Sequence, residues 1–299
     1  MFENAIEEVS KFTRPMHSII RSYGGLISPA SATFFFVNDE GVAITCKHVA
    51  QVILNADNIN KHYRHFKQEL EKVPKDGKYK ATLKGLELKY HYNVEASIQM
   101  KHNFMNCFDS INEIVCHIHP TLDLAILVFK GFNAIHYASH AKFLKNSRHI
   151  RQGNMLCRLG FPFPEFSNFR HNKETDDIEW TTAGNQNSPI FPIDGIVTRF
   201  VADQGAGVTG IEMSTPGLRG QSGGPLFDKE GRIYGMQFAT RHLHLGFDMK
   251  DHEILMDGMK TKIANHPFLH VGICVHLDPI KEFLRHHNIT FTEADQDVQ

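Results

Sequence analysis

Phe2, Ala5, Ile6, Val9 and Phe12 recur at helical spacing, which predicts a short amphipathic helix over residues 2–12 that ends before Pro15. From Thr33 the period changes. Thr33-Phe-Phe-Phe-Val37, the turn residues Asn38-Asp-Glu-Gly41 and then Val42-Ala-Ile-Thr-Cys46 predict a β-hairpin. Further short strands are predicted at 86–92, 114–118, 123–129, 154–159, 195–201, 208–213, 233–239 and 271–276. Many short strands with turns between them point to an all-β barrel or sandwich, not to alternating βαβ units. Near the end, Asp278-Pro279 supply a helix N-cap and first position, and Ile280, Phe283, Leu284 and His287 share one face. A C-terminal helix is therefore predicted, followed by a polar tail from about residue 290. Segments 57–101 and 161–192 read as insertions or loops.

Charge narrows the function classes. The 299 residues carry 32 Lys+Arg against 33 Asp+Glu, so the cationic excess of a nucleic-acid-binding protein is missing, and a charged membrane surface is an equally poor partner. Segment 57–101 is locally basic, with 10 Lys+Arg against 6 Asp+Glu, and reads as a solvated face. The longest uninterrupted apolar run is the six residues Leu124–Phe129, far below the roughly 18 that span a bilayer. The N-terminus lacks the basic start and apolar stretch of a secretory signal, which predicts a cytoplasmic protein. Five scattered cysteines (Cys46, Cys107, Cys116, Cys157 and Cys274) without a C-x-x-C pair predict buried thiols, neither a disulfide framework nor a zinc ribbon.

The chemistry concentrates around Gly220-Gln-Ser222-Gly-Gly-Pro-Leu226. A serine between glycines, directly before a proline and a strand, suits a tight turn whose backbone N–H groups face a substrate carbonyl. A serine hydroxyl is a weak nucleophile and needs a base held by a carboxylate. His48, in Thr45-Cys-Lys-His48-Val, follows the first hairpin, and Asp123 opens the strand Asp-Leu-Ala-Ile-Leu-Val-Phe. The chain order is His, Asp, Ser, with gaps of 75 residues (123 minus 48) and 99 residues (222 minus 123). That order differs from the subtilisin and α/β-hydrolase orders.

These three stretches together resemble the trypsin-like, chymotrypsin-fold serine peptidases, and within them the HtrA-like branch. Leu159-Gly-Phe-Pro-Phe163, Phe191-Pro-Ile-Asp-Gly-Ile-Val197 and Val271-Gly-Ile-Cys-Val-His276 are similar to that branch's glycine-proline turn, its strand entering the second barrel and its closing strand. The resemblance covers residues 25–288. It implies two packed six-stranded antiparallel β-barrels: residues 25–150 carrying His48 and Asp123, with 57–101 inserted, and 151–277 carrying Ser222. A helix and lead-in at 1–24 and a helix and tail at 278–299 flank them. It further implies a catalytic triad of His48, Asp123 and Ser222, an oxyanion hole from the Gly220 and Ser222 N–H groups, and a primary pocket from Pro216, Leu218, Arg219, Phe238, Ala239 and Thr240. Pro216 stands where trypsin has its buried acid, so a modest, mostly apolar pocket is expected and cleavage after Lys or Arg is not.

The departures from the family matter as well. Gln221 stands where zymogen-activated relatives have an acid that pairs with a new N-terminus, and Val49 after His48 excludes their His-loop disulfide. Only 11 residues follow Asn288 (299 minus 288), so no PDZ domain is expected. The expected function is an intracellular serine endopeptidase acting on a protein or peptide substrate. The alternatives are a catalytically silent peptide- or protein-binding module and an enzyme that waits for a regulatory protein partner to order the loop at Gln221. Twenty histidines raise one further idea, a metal site at His242, His244 and His252. No carboxylate or cysteine set completes it at a firm spacing, so these read as structural or surface residues, with no metal or cofactor.

Overall fold

Strands dominate the computed structural model, which describes residues 1–203, 207–247, 249–256, 259–265 and 268–295, with backbone alone at 203, 249–252, 254–256, 259 and 261–265. After helix α1 (Glu3–Ser10), the first half contributes β1 (Thr13–Ser22), β2 (Ile27–Phe36), β3 (Val42–Thr45), β4 (Ser97–Phe104), β5 (Glu113–Ile118) and β6 (Ala125–Lys130). They form one six-stranded antiparallel sheet in the order β4-β1-β2-β3-β6-β5. The predicted hairpin is β2 and β3, paired through Phe35↔Ile44, with Gly41 at φ +76° supplying the reversal.

The second half begins with β7 (Lys142–Leu144) and β8 (Met155–Gly160), followed by the hairpin β9 (Phe169–Asn172) and β10 (Asp177–Trp180). Then come β11 (Phe191–Asp203), β12 (Gly207–Met213), β13 (Pro225–Phe227), β14 (Arg232–His244), β15 (Met249–Met256), β16 (Met259–Asn265) and β17 (Phe268–His276). Six of them close on themselves in the order β13-β8-β11-β12-β17-β14, because β13 pairs with both β8 and β14. Closure pairs the β13 and β14 edges with each other over Pro225–Phe227 and Ile233–Met236. A continuous apolar core, including Phe34, Phe36 and Phe129 from the first half and Phe143, Phe227 and Leu284 from the second, runs through both.

The expected two six-stranded β units are therefore present, with four differences in detail. The first sheet starts at Thr13, not 25, because β1 lies between β2 and β4 where a lead-in was expected. The strand expected at 86–92 is instead the end of a helix. Segment 57–101 belongs mainly to a helical hairpin, α2 (Lys47–Glu71) and α3 (Tyr79–Lys89), whose Tyr63 and Phe66 pack with Tyr90 and with Ile98 of β4. In α4 (Leu277–His286) the N-cap is His276, whose Nδ1 accepts the Asp278 N–H at 3.2 Å, rather than Asp278 itself. The tail adds β18 (Thr292–Ala294), parallel to β7.

Candidate active site

Ser222 stands in the loop between β12 and β13, and its neighbours explain why so many glycines surround it. Gly220 and Gly223 have φ near +90°, a region that side chains disfavour. A Cβ on Gly223 would lie 2.0 Å from the Thr33 carbonyl oxygen, and one on Gly224 would lie 2.1 Å from that of Leu159. The loop is thus pressed against both halves of the molecule. Thr33 of β2 holds it: its N–H donates to the Ser222 carbonyl at 3.0 Å and its hydroxyl to the Gly220 carbonyl at 2.6 Å. The same hydroxyl accepts from the Phe161 N–H at 3.1 Å.

Gln221, fully buried, fills the place where some relatives carry an acid. Its carboxamide oxygen accepts the Leu218 N–H at 3.1 Å, and its nitrogen donates to the Phe191 carbonyl at 2.9 Å. The Gln221 N–H closes a turn to the Leu218 carbonyl at 3.1 Å. Among the described residues, the N–H groups of Gly220 and Ser222 have no acceptor, so two backbone donors on either side of Gln221 remain available to a ligand oxygen.

His48 is the second residue of α2, and Asp123 lies two residues before Ala125, where β6 begins to pair with β3. The imidazole Nδ1 lies 2.7 Å from Asp123 Oδ2, and the His48 backbone N–H donates to Oδ1 at 3.0 Å. Burial would raise the Asp123 carboxyl, but the hydrogen bonds from His48 and from the Lys47 N–H outweigh it and hold it below its usual range. Among the described residues no hydrogen bond joins the Ser222 hydroxyl to His48. The two loops nevertheless meet at one atom: the Gln237 carbonyl accepts from the Gly223 N–H at 2.8 Å and from the Cys46 thiol at 3.4 Å.

Cys46, His48 and Asp123 also bring possible ligand atoms within 4.8 Å of one another. Burial pushes the Cys46 thiol well above its ordinary value and keeps it protonated, which makes it a poor metal ligand. As for the histidine trio, His242 Nδ1 contacts His270 Nδ1, and the side chain of His252 lies outside the described residues.

A cavity of about 470 Å³ opens beside Ser222. All six residues expected around a primary pocket (Pro216, Leu218, Arg219, Phe238, Ala239 and Thr240) line it together with Ser222. Sequence reasoning missed Gly217, Gln237, His242 and His270, which line it too and set polar groups into a wall that is otherwise mostly apolar, as expected. A larger cavity, of about 680 Å³, lies beside α1 and β8 and holds none of the triad candidates. Beyond Gln237, β14 is paired only with β17 among the described residues, leaving one backbone edge open near the 470 Å³ cavity.

A family model described as the trypsin-like peptidase domain matches residues 32–236. A search of curated protein sequences finds no match. Among solved structures, the HtrA-type protease AlgW with tripeptide aligns at 14% identity and a TM-score of 0.47, over 97% of this chain and 65% of that one. This chain therefore spans just under two thirds of that protein. The active form of a protease from M. tuberculosis aligns at 11% identity and a TM-score of 0.48, over 96% of this chain and 86% of that one.

Proposed function

Because the chain belongs to the family of trypsin-like peptidase domains, we propose that it is a serine endopeptidase working through His48, Asp123 and Ser222. The observation that carries this reading is the loop Gly220–Gly224: a serine beside a cavity, whose own N–H and that of Gly220 are both unused among the described residues. In this scheme His48 takes the Ser222 proton as Oγ attacks the scissile carbonyl, and Asp123 orients the imidazole and stabilises its cation. The Gly220 and Ser222 N–H groups receive the developing oxyanion. His48 then protonates the leaving amine, and water, activated in turn by His48, hydrolyses the acyl-enzyme.

The open edge of β14 past Gln237 supports an extended substrate that adds as a strand, with its side chain in the cavity. All five cysteines are free thiols, which supports a reducing, intracellular compartment. No helix among the described residues is long and apolar enough to cross a membrane.

A fluorophosphonate probe tests the reading. Labelling of the purified chain that disappears in both Ser222→Ala and His48→Ala is the expected result. Labelling that persists in Ser222→Ala refutes the nucleophile assignment. No labelling of the wild type leaves the second reading, a silent peptide-binding module on the same cleft. Labelling that rises only when a partner protein is added would favour the partner-dependent enzyme.

A further inference from the structure

Arg158, on β8, is fully buried, yet among the described residues no carboxylate pairs with it. Its Nη1 donates to Gln237 Oε1 at 2.7 Å, and its Nη2 donates to the Thr215 carbonyl at 2.9 Å and hydroxyl at 2.6 Å. Its Nε has no partner among the described residues. An acid whose field reaches it, Asp194, is exposed and makes no ion pair with it. A buried cation without a counter-charge is costly, so a protein that keeps one has some other use for its field.

The location of this charge supplies the use. Gln237 and Thr215 join the guanidinium to the cavity beside Ser222, since Gln237 is part of the cavity wall and Thr215 directly precedes Pro216, another wall residue. Two missing side chains make room: a Cβ on Gly272 would lie 2.0 Å from Arg158 Nη1, and one on Gly217 would lie 2.3 Å from Gln237 Nε2. Gln237 is thereby held with its oxygen toward the cation. One Nε2 hydrogen goes to the Ala239 carbonyl at 2.6 Å, and the other has no acceptor among the described residues. Arg219, His242 and His270 add basic side chains to the wall, and among the described residues no Asp or Glu is part of it.

We propose that this cavity selects an acidic side chain, Glu or Asp, on the residue that supplies the scissile carbonyl, and that Arg158, acting through Gln237, sets the choice. The proposal rests on the peptidase reading and adds a charge preference, set by a few polar groups, to the mostly apolar pocket expected from sequence. The carboxylate accepts the free Gln237 N–H while the buried guanidinium, little screened by water, supplies the counter-charge.

Binding to the full-length Ser222→Ala chain tests the cavity without requiring turnover. Four acetylated peptides, Ala-Ala-Pro-X with X as Glu, Gln, Leu or Lys, are titrated by calorimetry. Glu should bind about tenfold more tightly than Gln and Leu, and Lys most weakly of the four. Adding Arg158→Met should bring Glu and Gln to within about twofold of each other, whereas Arg158→Lys should keep part of the preference. A general structural defect would weaken both peptides equally. Should Arg158→Met lose cooperative unfolding, the wild-type Glu-to-Gln ratio and its retention in Arg219→Ala still decide. Leu binding as well as Glu, no binding of any peptide, or an unchanged ratio in folded Arg158→Met overturns the proposal. Failure of fluorophosphonate labelling with intact Glu preference would instead count against the peptidase reading alone.

Discussion

Asp123 grips His48 at two points, through the imidazole at 2.7 Å and the backbone N–H at 3.0 Å, so one carboxylate fixes both the ring and the start of the helix that carries it. Replacing it with Asn keeps the shape but can present an N–H to the ring and stabilise the wrong tautomer. Asp123→Asn should lower kcat by about 10⁴ with little change in melting temperature. Steady-state kinetics beside a thermal melt check this, and a loss below tenfold would remove Asp123 from the triad.

Gln221 orders the nucleophile loop with neutral hydrogen bonds. Gln221→Ala strands the Leu218 N–H and the Phe191 carbonyl, which should cost about 1–3 kcal/mol of stability. Because the Gly220 and Ser222 donors flank it, kcat should fall about 10- to 100-fold, more than KM rises. Unchanged kcat in a folded variant would show that the loop needs no such brace.

Two glycines offer an internal control on sterics. Gly153 and Gly223 both have φ near +90°, but a Cβ on Gly153 would meet nothing within 4 Å. Gly153→Ala should therefore cost only the backbone strain, about 1–2 kcal/mol. Gly223→Ala should cost more than about 4 kcal/mol or prevent folding. Urea denaturation of the pair measures the difference, and equal losses would mean that the loop shifts freely away from Thr33.

His17 predicts acid lability. It lies fully buried on β1, stacked on Phe166 at 4.1 Å, with Nε2 2.9 Å from the Ser188 hydroxyl and Nδ1 unpartnered among the described residues. Burial lowers its pKa from 6.5 to about 4, so the folded state holds the neutral ring. The unfolded chain binds the proton first; stability is complete above about pH 6.5 and is lost as pH falls toward 4, by about 3 kcal/mol for this group. Burial lowers His102 in the same direction. Urea midpoints at pH 7 and pH 4.5 should diverge, and His17→Gln should narrow the gap; a midpoint unaffected by pH in the wild type contradicts the assignment.

The sequence made the reactive loop legible because its constraints are local: left-handed backbone and crowding leave glycine as the fitting residue at 220 and 223. The His-to-Asp contact was legible by resemblance, through chain order. Strand β1 was not, because it breaks the alternation rule. Its His17, Ser18 and Arg21 are buried polar residues, and Ser18 and Arg21 bond to His102, Gln99 and Asp176 far along the chain. Leu86, Leu88, Tyr90 and Tyr92 fit a strand period as well as part of a helix, and tertiary packing of Tyr90 and Tyr92 on Phe66 decided the matter. Arg158 was invisible for a related reason. A charged residue in a strand reads as solvent-facing until its partners, 57 and 79 positions away, are known.

Thr33 belongs to the first sheet, yet it bonds to Ser222, Gly220 and Phe161 in the second half. Neither half alone therefore contains a finished nucleophile loop. The part that selection must guard is the seam, where a change at Thr33 displaces a serine almost two hundred residues further along the chain.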